Sequence, residues 1–164
     1  MSNFTTSLEN VQHAQLNDLV FYWKQIKKGQ LMPLRQNFNP VDVPKCLRHI
    51  VLVDVQDGDP KYYIRLAGSS INPMYMKPIT GKYIEELSSG KDRADILAQY
   101  NHTVEHLIPT YMTGVKNTHV GNSVSYERII LPITSDGREA DKLLVGLHFF
   151  NVKQQLLDRA IFKI

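Results

Sequence analysis

The most explicit chemistry in the chain lies in five consecutive residues, His102-Thr103-Val104-Glu105-His106. On a helix, His102 and His106 stand one turn apart on the same face. Two imidazoles so placed can share a divalent metal ion while Glu105 holds an activated water. This is the His-x-x-Glu-His arrangement of inverted zinc peptidases. That chemistry also needs a third protein ligand and a wide cleft. No flanking residues match that family, and 164 residues is short for such an enzyme. A metal-dependent hydrolase is therefore the alternative function, and the plainer reading is two surface histidines on a helix flank. Ser123 and Ser125 near His119 suggest nucleophilic hydrolysis, but no Gly-x-Ser-x-Gly elbow accompanies them.

Two arginines fall on predicted strands. Arg65 interrupts the apolar run Tyr62 to Ile71, and Arg128 lies in the alternating run Ser123 to Pro132. A guanidinium within an apolar strand needs a carboxylate or several carbonyls around it. Asp54, Glu127 and Asp141 are the candidate partners, in which case the arginines are structural. In the other reading one of them clamps a ligand carboxylate bidentately. Arg65 favours the structural role and is expected to be buried and paired. Met74, Tyr75, Met76 and Tyr83 cluster between Pro73 and Ile84. They suit ordinary core, or the lining of a site for an apolar or aromatic ligand.

Composition narrows the field. The chain is 43% hydrophobic and 21% charged, with a formal charge of +3. That describes one globular domain with some terminal extension and gives no ground for nucleic-acid binding. Lys24, Lys27 and Lys28 cluster where they complement a helix C-terminus. Cys46 is the single cysteine. An internal disulfide and a cysteine metal cluster are thereby excluded, and a reducing, cytoplasmic setting is the expectation. No apolar segment is long enough to span a membrane. The polar first residues lack a signal-peptide core.

The elements that would position these residues follow from periodicity. Residues 1–10 read as a disordered tail. From Val11 to Lys28, the residues Leu16, Leu19, Val20, Trp23 and Ile26 recur at helical spacing, and Gly29 is the stop. Pro33, Pro40 and Pro44 make residues 31–45 a connector, with one turn capped by Asp42. Strands are predicted at 49–55 and 62–67, joined through Asp57-Gly58-Asp59-Pro60. Gly68 ends the second strand at a turn of restricted space, where Ser69 or Ser70 can cap a short helix. Short helical pieces follow to about Leu87, then a longer helix from Asp92 to Leu107, ended by Pro109. Three more strands are predicted at 110–117, 123–132 and 142–152. On the middle one, Val124, Tyr126, Arg128 and Ile130 share one face. Residues 153–164 suggest an amphipathic C-terminal helix. The pattern is α+β with an antiparallel sheet.

This order resembles that of PAS domains, and in particular a bacterial subfamily often found as short stand-alone proteins. The resemblance rests on Trp23, then Gly29, Pro33 and Arg35, then Pro40 and Pro44. It continues with Arg65-Leu66-Ala67-Gly68-Ser69, Thr80-Gly81, Tyr100, Pro109, Leu131-Pro132, Asp136-Gly137 and Asp141. It covers about residues 20–147 and implies a five-stranded sheet over residues 46–152 with short helices on one face. It implies a sensor or interaction module in signal transduction rather than an enzyme. The ligand pocket it implies lies among Arg65, Met74, Tyr75, Tyr83, Tyr100 and Arg128. The cofactor is left unspecified. Haem through a histidine of the longer helix lacks a supporting motif, and Cys46 lies outside the helix that covalent flavin chemistry requires. The expected partners are a second copy, paired through the N-terminal helix, and a signalling protein. The chain shows no kinase, cyclase or response-regulator output.

Overall fold

A computed structural model of the chain describes residues 3–117 and 123–150. Its centre is one antiparallel sheet of six strands in the order β1-β4-β5-β6-β2-β3. These are β1 (Phe4–Thr5), β2 (Ile50–Val55), β3 (Tyr62–Ala67), β4 (Thr110–Asn117), β5 (Ser123–Ile133) and β6 (Lys142–Phe149). The strand beyond the expected five is β1. The segment expected to be a disordered tail instead pairs Phe4 with Met112 and Thr5 with Tyr111 at the sheet edge. The predicted C-terminal helix and the loop at 118–122 lie outside the described residues.

Both faces of the sheet are covered, because strand alternation is apolar on both. On the outer face, α1 (Ala14–Ile26) lays Leu16, Leu19, Val20, Tyr22 and Trp23 against Ile129, Leu131 and Leu144. Gly146 allows this close approach, since a Cβ there would lie 2.9 Å from Ile129 Cγ1 and 3.2 Å from Leu16 Cγ. Trp23 Nε1 donates to the Pro132 carbonyl at 2.9 Å. The start of α1 has no side-chain cap of its own. The fully buried Glu127 supplies one from the sheet, accepting from the backbone N–H of His13 (2.6 Å) and Gln12 (3.0 Å). Lys28 and Gly29, both at positive φ, end the helix as expected. The apolar stripe that suggested pairing with a second copy is thus already buried by the chain's own sheet. Of this helix's large apolar side chains, Phe21 remains exposed.

The connector forms single 3-10 turns at Arg35–Asn37, Pro40–Asp42 and Leu47–His49. Asn39 caps the second of these, its Oδ1 accepting from Val41 N–H at 3.2 Å, and Asp42, expected to cap a turn running to about Leu47, is instead the last residue of that turn. On the inner face lie 3-10 turns at Asn72–Tyr75 and Ile84–Glu86, then α2 (Gly90–His106). Leu107, at φ 58, closes α2 ahead of Pro109. Gly68 sits where β3 gives way to the first of these turns. A Cβ there would stand 2.3 Å from the Leu47 carbonyl oxygen and 2.5 Å from that of Arg48. The glycine is therefore required by space rather than by φ.

Candidate functional site

Between the inner face of the sheet and its helical cover lies a cavity of about 420 Å³. Three adjacent strands build its floor in register. Arg128 of β5 stands opposite Met112 of β4 and Leu147 of β6. The roof comes from Tyr75, Ile84, Leu87 and the α2 residues Ile96 and Tyr100. Alternation on β5 is as the sequence indicates. Tyr126, Arg128 and Ile130 face inward, while Ile129, Leu131 and Ile133 pack beneath α1.

Arg128 dominates the electrostatics. It is 6% exposed, and among the described residues it forms no salt bridge. Its Nε donates to Gln99 Oε1 at 2.9 Å and its Nη2 to Met112 Sδ at 3.3 Å. The guanidinium lies 5.4 Å from the centroid of Tyr126 and 5.9 Å from that of Tyr100, in reach of both π faces. Burial pushes the Tyr100 hydroxyl far above the ordinary phenol range, although Arg128 pulls the other way. Burial also raises Tyr75, again against Arg128. At the rim, Lys116 sets its ammonium 4.1 Å from the Tyr75 centroid. Burial lowers the Lys116 pKa, with Asp92 opposing. The Ser88 hydroxyl, a further lining group, is buried without a hydrogen-bond partner. The cavity therefore offers an aromatic and aliphatic box and, among the described residues, a deep cation with no counter-charge and a hydroxyl with no partner. Such groups are suited to holding a ligand, and among the described lining residues no nucleophile stands beside a base.

The residues singled out in the sequence distribute unevenly. Tyr75, Tyr100 and Arg128 line the cavity. Met74 is buried in the same core but turns toward a second cleft, beside His49. Tyr83 lies outside, its hydroxyl donating to Gln56 Oε1 at 2.7 Å. Arg65 is the clear correction. Its side chain is 59% exposed and pairs with Asp54, which Lys142 also reaches at 2.9 Å. The partner is one the sequence suggested, but the burial is not, because β3 is an edge strand that α1 does not cover. Burial pushes the Asp54 carboxyl up, and hydrogen bonds from Arg65 and Lys142 outweigh it and hold it low. Tyr126, Met112, Lys116 and Ser88 were not singled out as site residues. The alternation that put Tyr126 on the face of Arg128 was the available signal.

His102 and His106 are absent from the cavity wall. Their rings are 4.3 Å apart, with His102 against Phe4 and His106 exposed. Among the described residues no third metal-ligating group gathers with them. Among the described residues, then, the hydrolase reading finds no third ligand beside His102 and His106, and neither of these two faces the cavity as haem ligation would need.

An antiparallel sheet roofed by short helices and α2 over a partly open cavity is the architecture of a sensor class of domain. The chain belongs to the PAS domain family, whose model matches residues 11–148, and so stands among sensor and signalling modules. No curated protein matches the sequence. Solved structures with the same fold include a light-oxygen-voltage domain from work with a flavin analogue. That domain gives a TM-score of 0.51 at 12% identity, over 73% of this chain and 87% of that one. The light-oxygen-voltage protein of Rhodobacter sphaeroides gives 0.51 at 15%, over 68% and 64%. The light state of the blue-light photoreceptor Aureochrome1 domain gives 0.50 at 10%, over 74% and 94%. At these identities the likeness is one of fold. Flavin chemistry through a cysteine adduct does not fit this chain. Cys46 lies under α1, on the opposite face from the cavity, with Sγ donating to the Gln15 carbonyl at 3.2 Å. Burial raises its thiol pKa.

Proposed function

We propose that this PAS module senses a small organic anion, a carboxylate with an aromatic or branched aliphatic body, bound in the cavity over Arg128. Arg128 carries the proposal. A cation taken out of water is stable only when it is paired or thoroughly hydrogen-bonded. Gln99, the Met112 sulfur and two aromatic faces satisfy it in part and leave guanidinium donors over. A ligand carboxylate would complete the set with charge-assisted bonds. Ser88 Oγ and Lys116 add polar contacts at the wall and rim, and the aromatic and aliphatic walls suit the ligand body.

Signal output passes to a partner protein. A homodimer through α1 would use its outer side, where Phe21 is exposed, because its apolar stripe is covered. A reducing, cytoplasmic setting belongs to the same proposal, resting on the single buried cysteine. Among the described residues no helix is long and apolar enough to cross a membrane.

Thermal denaturation of the full chain with a panel of aromatic and branched aliphatic carboxylates tests the proposal, each paired with its neutral primary amide. At least one carboxylate should raise the melting temperature in a saturable way, while its amide does not. Equal effects of acid and amide across the panel, or none from either, would defeat it.

A further inference from the structure

A second constellation lies outside the cavity, on the other side of the sheet's β2–β6 seam. His13 stands at the N-cap of α1, His49 in the 3-10 turn that leads into β2, and His148 near the end of β6. The His13 and His148 rings stack with centroids 3.6 Å apart, and His49 meets them edge-on at 4.6 and 5.3 Å. One ring nitrogen from each lies within 4.8 Å of the other two. His49 is 8% exposed, and its Nδ1 has no hydrogen-bond partner; the buried Nδ1 of His13 has none either. Orphaned buried nitrogens are uncommon and call for an explanation, of which a bound ion is one.

The setting keeps the rings neutral, as metal ligation requires. Burial lowers the pKa of all three, and those of His49 and His148 to about 4. The nearest carboxylate, Glu127, is opposite His148 across the β5–β6 ladder. Its oxygens already accept from Gln12 and His13 N–H and from the Tyr111 hydroxyl at 2.8 Å.

We propose that His13, His49 and His148 form a binding site for a single borderline divalent transition-metal ion such as zinc. Zinc–imidazole bonds of about 2.0–2.1 Å set ligand nitrogens roughly 3.3–3.4 Å apart in a tetrahedron. The present spread of no more than 4.8 Å must close to that, and the stacked rings of His13 and His148 must turn out of their near-parallel arrangement so that both in-plane lone pairs point at one ion. Three imidazoles leave the fourth position for water or an anion. It faces a cleft lined by Arg48 and Lys45, which favours an anion there. The ion would tie the N-cap of α1 to β6, the last strand among the described residues.

The test is cobalt titration of the chelator-treated full chain, followed by visible absorption, with zinc as competitor. The expected result is one cobalt per chain, with the intense bands of a four-coordinate site, abolished by zinc. His148→Gln should lose that stoichiometric binding, and the double variant His102→Ala with His106→Ala should keep it. Should His148→Gln fail to fold, imidazole nitrogen NMR of the unmutated protein decides. Zinc must then shift the ring nitrogens of His13, His49 and His148 and leave those of His102 and His106 in place. No stoichiometric cobalt in the folded protein, or binding that follows His102 and His106, overturns the site.

Discussion

Arg128→Met separates the proposed role of this residue from an ordinary structural one. Where a buried ion pair is broken, the orphaned partner makes the loss about 3–5 kcal/mol. Arg128 has no such partner among the described residues, so its removal strands no carboxylate. The variant leaves Gln99 Oε1 without its 2.9 Å donor, a cost of about 1–3 kcal/mol for a buried acceptor. It also loses contacts with the Tyr126 and Tyr100 faces, each about 0.5–2 kcal/mol. Against these stands relief from burying an uncompensated cation, which is worth several kcal/mol. The opposing effects leave a net change within about 2 kcal/mol, and methionine fills much of the space. Ligand affinity has no such cancellation. Losing one charge-assisted hydrogen bond of about 1.5–3 kcal/mol weakens a bound carboxylate roughly 10- to 150-fold. Urea unfolding measures the first quantity, and titration calorimetry with a carboxylate found by the thermal panel measures the second. A variant that binds the carboxylate as tightly as the unmutated chain refutes the anchoring role. A stability loss of about 3–5 kcal/mol would show that Arg128 is one half of a structural pair.

Three further outcomes follow from the same geometry. Gly68→Val places side-chain atoms against the Leu47 and Arg48 carbonyl oxygens, backbone that cannot swing aside, and should destabilise the domain by about 1–3 kcal/mol or more; an unchanged melting temperature would contradict that packing. Val20→Asp with Trp23→Asp buries two carboxylates beneath α1, where each native side chain contributes roughly 1.5–3 kcal/mol. The double variant should lose folded structure at every protein concentration, and a folded species that differs only in sedimentation would revive pairing through the stripe. In the metal-free protein, burial holds His49 and His148 near 4, below their ordinary 6.5. Between those two values the unfolded chain binds protons that the folded chain does not. Stability should therefore fall as pH drops from 6.5 toward 4 and gain nothing from these groups above that window. NMR titration of the ring carbons checks it directly, and midpoints at or above 6.5 would be inconsistent with the packing.

How much the sequence discloses depends on the range of the signal. Period-two alternation on β5 is local, so the face shared by Tyr126, Arg128 and Ile130 is legible, as are the helix stop at Gly29 and the steric turn at Gly68. Arg65 misleads because the apolar run around it says nothing about which strand is an edge. Strand order is a long-range property, and only the position of β3 at the end of the sheet exposes that side chain. Phe4–Thr5 is too short to show a period and pairs only because β4 offers a free edge. The apolar stripe of α1 is visible at once, but what covers it is not. The three clustered histidines come from a helix cap, a 3-10 turn and a late strand, with no spacing in common. The pair His102 and His106, which does have motif spacing, lies away from the cavity wall and from that cluster. Cavity volume is likewise set by how the layers stack, and no single segment encodes it.

The most direct test of the central claim is the side-chain NMR signal of the Arg128 guanidinium, whose Nε–H is buried and hydrogen-bonded to Gln99. During titration with a carboxylate that stabilises the protein, the account predicts a saturable shift of the Arg128 Nε–H. Tyr100 and Tyr126 ring signals should move along the same one-to-one curve. Shifts confined to exposed cations such as Arg65, with Arg128 unmoved at saturation, would contradict it.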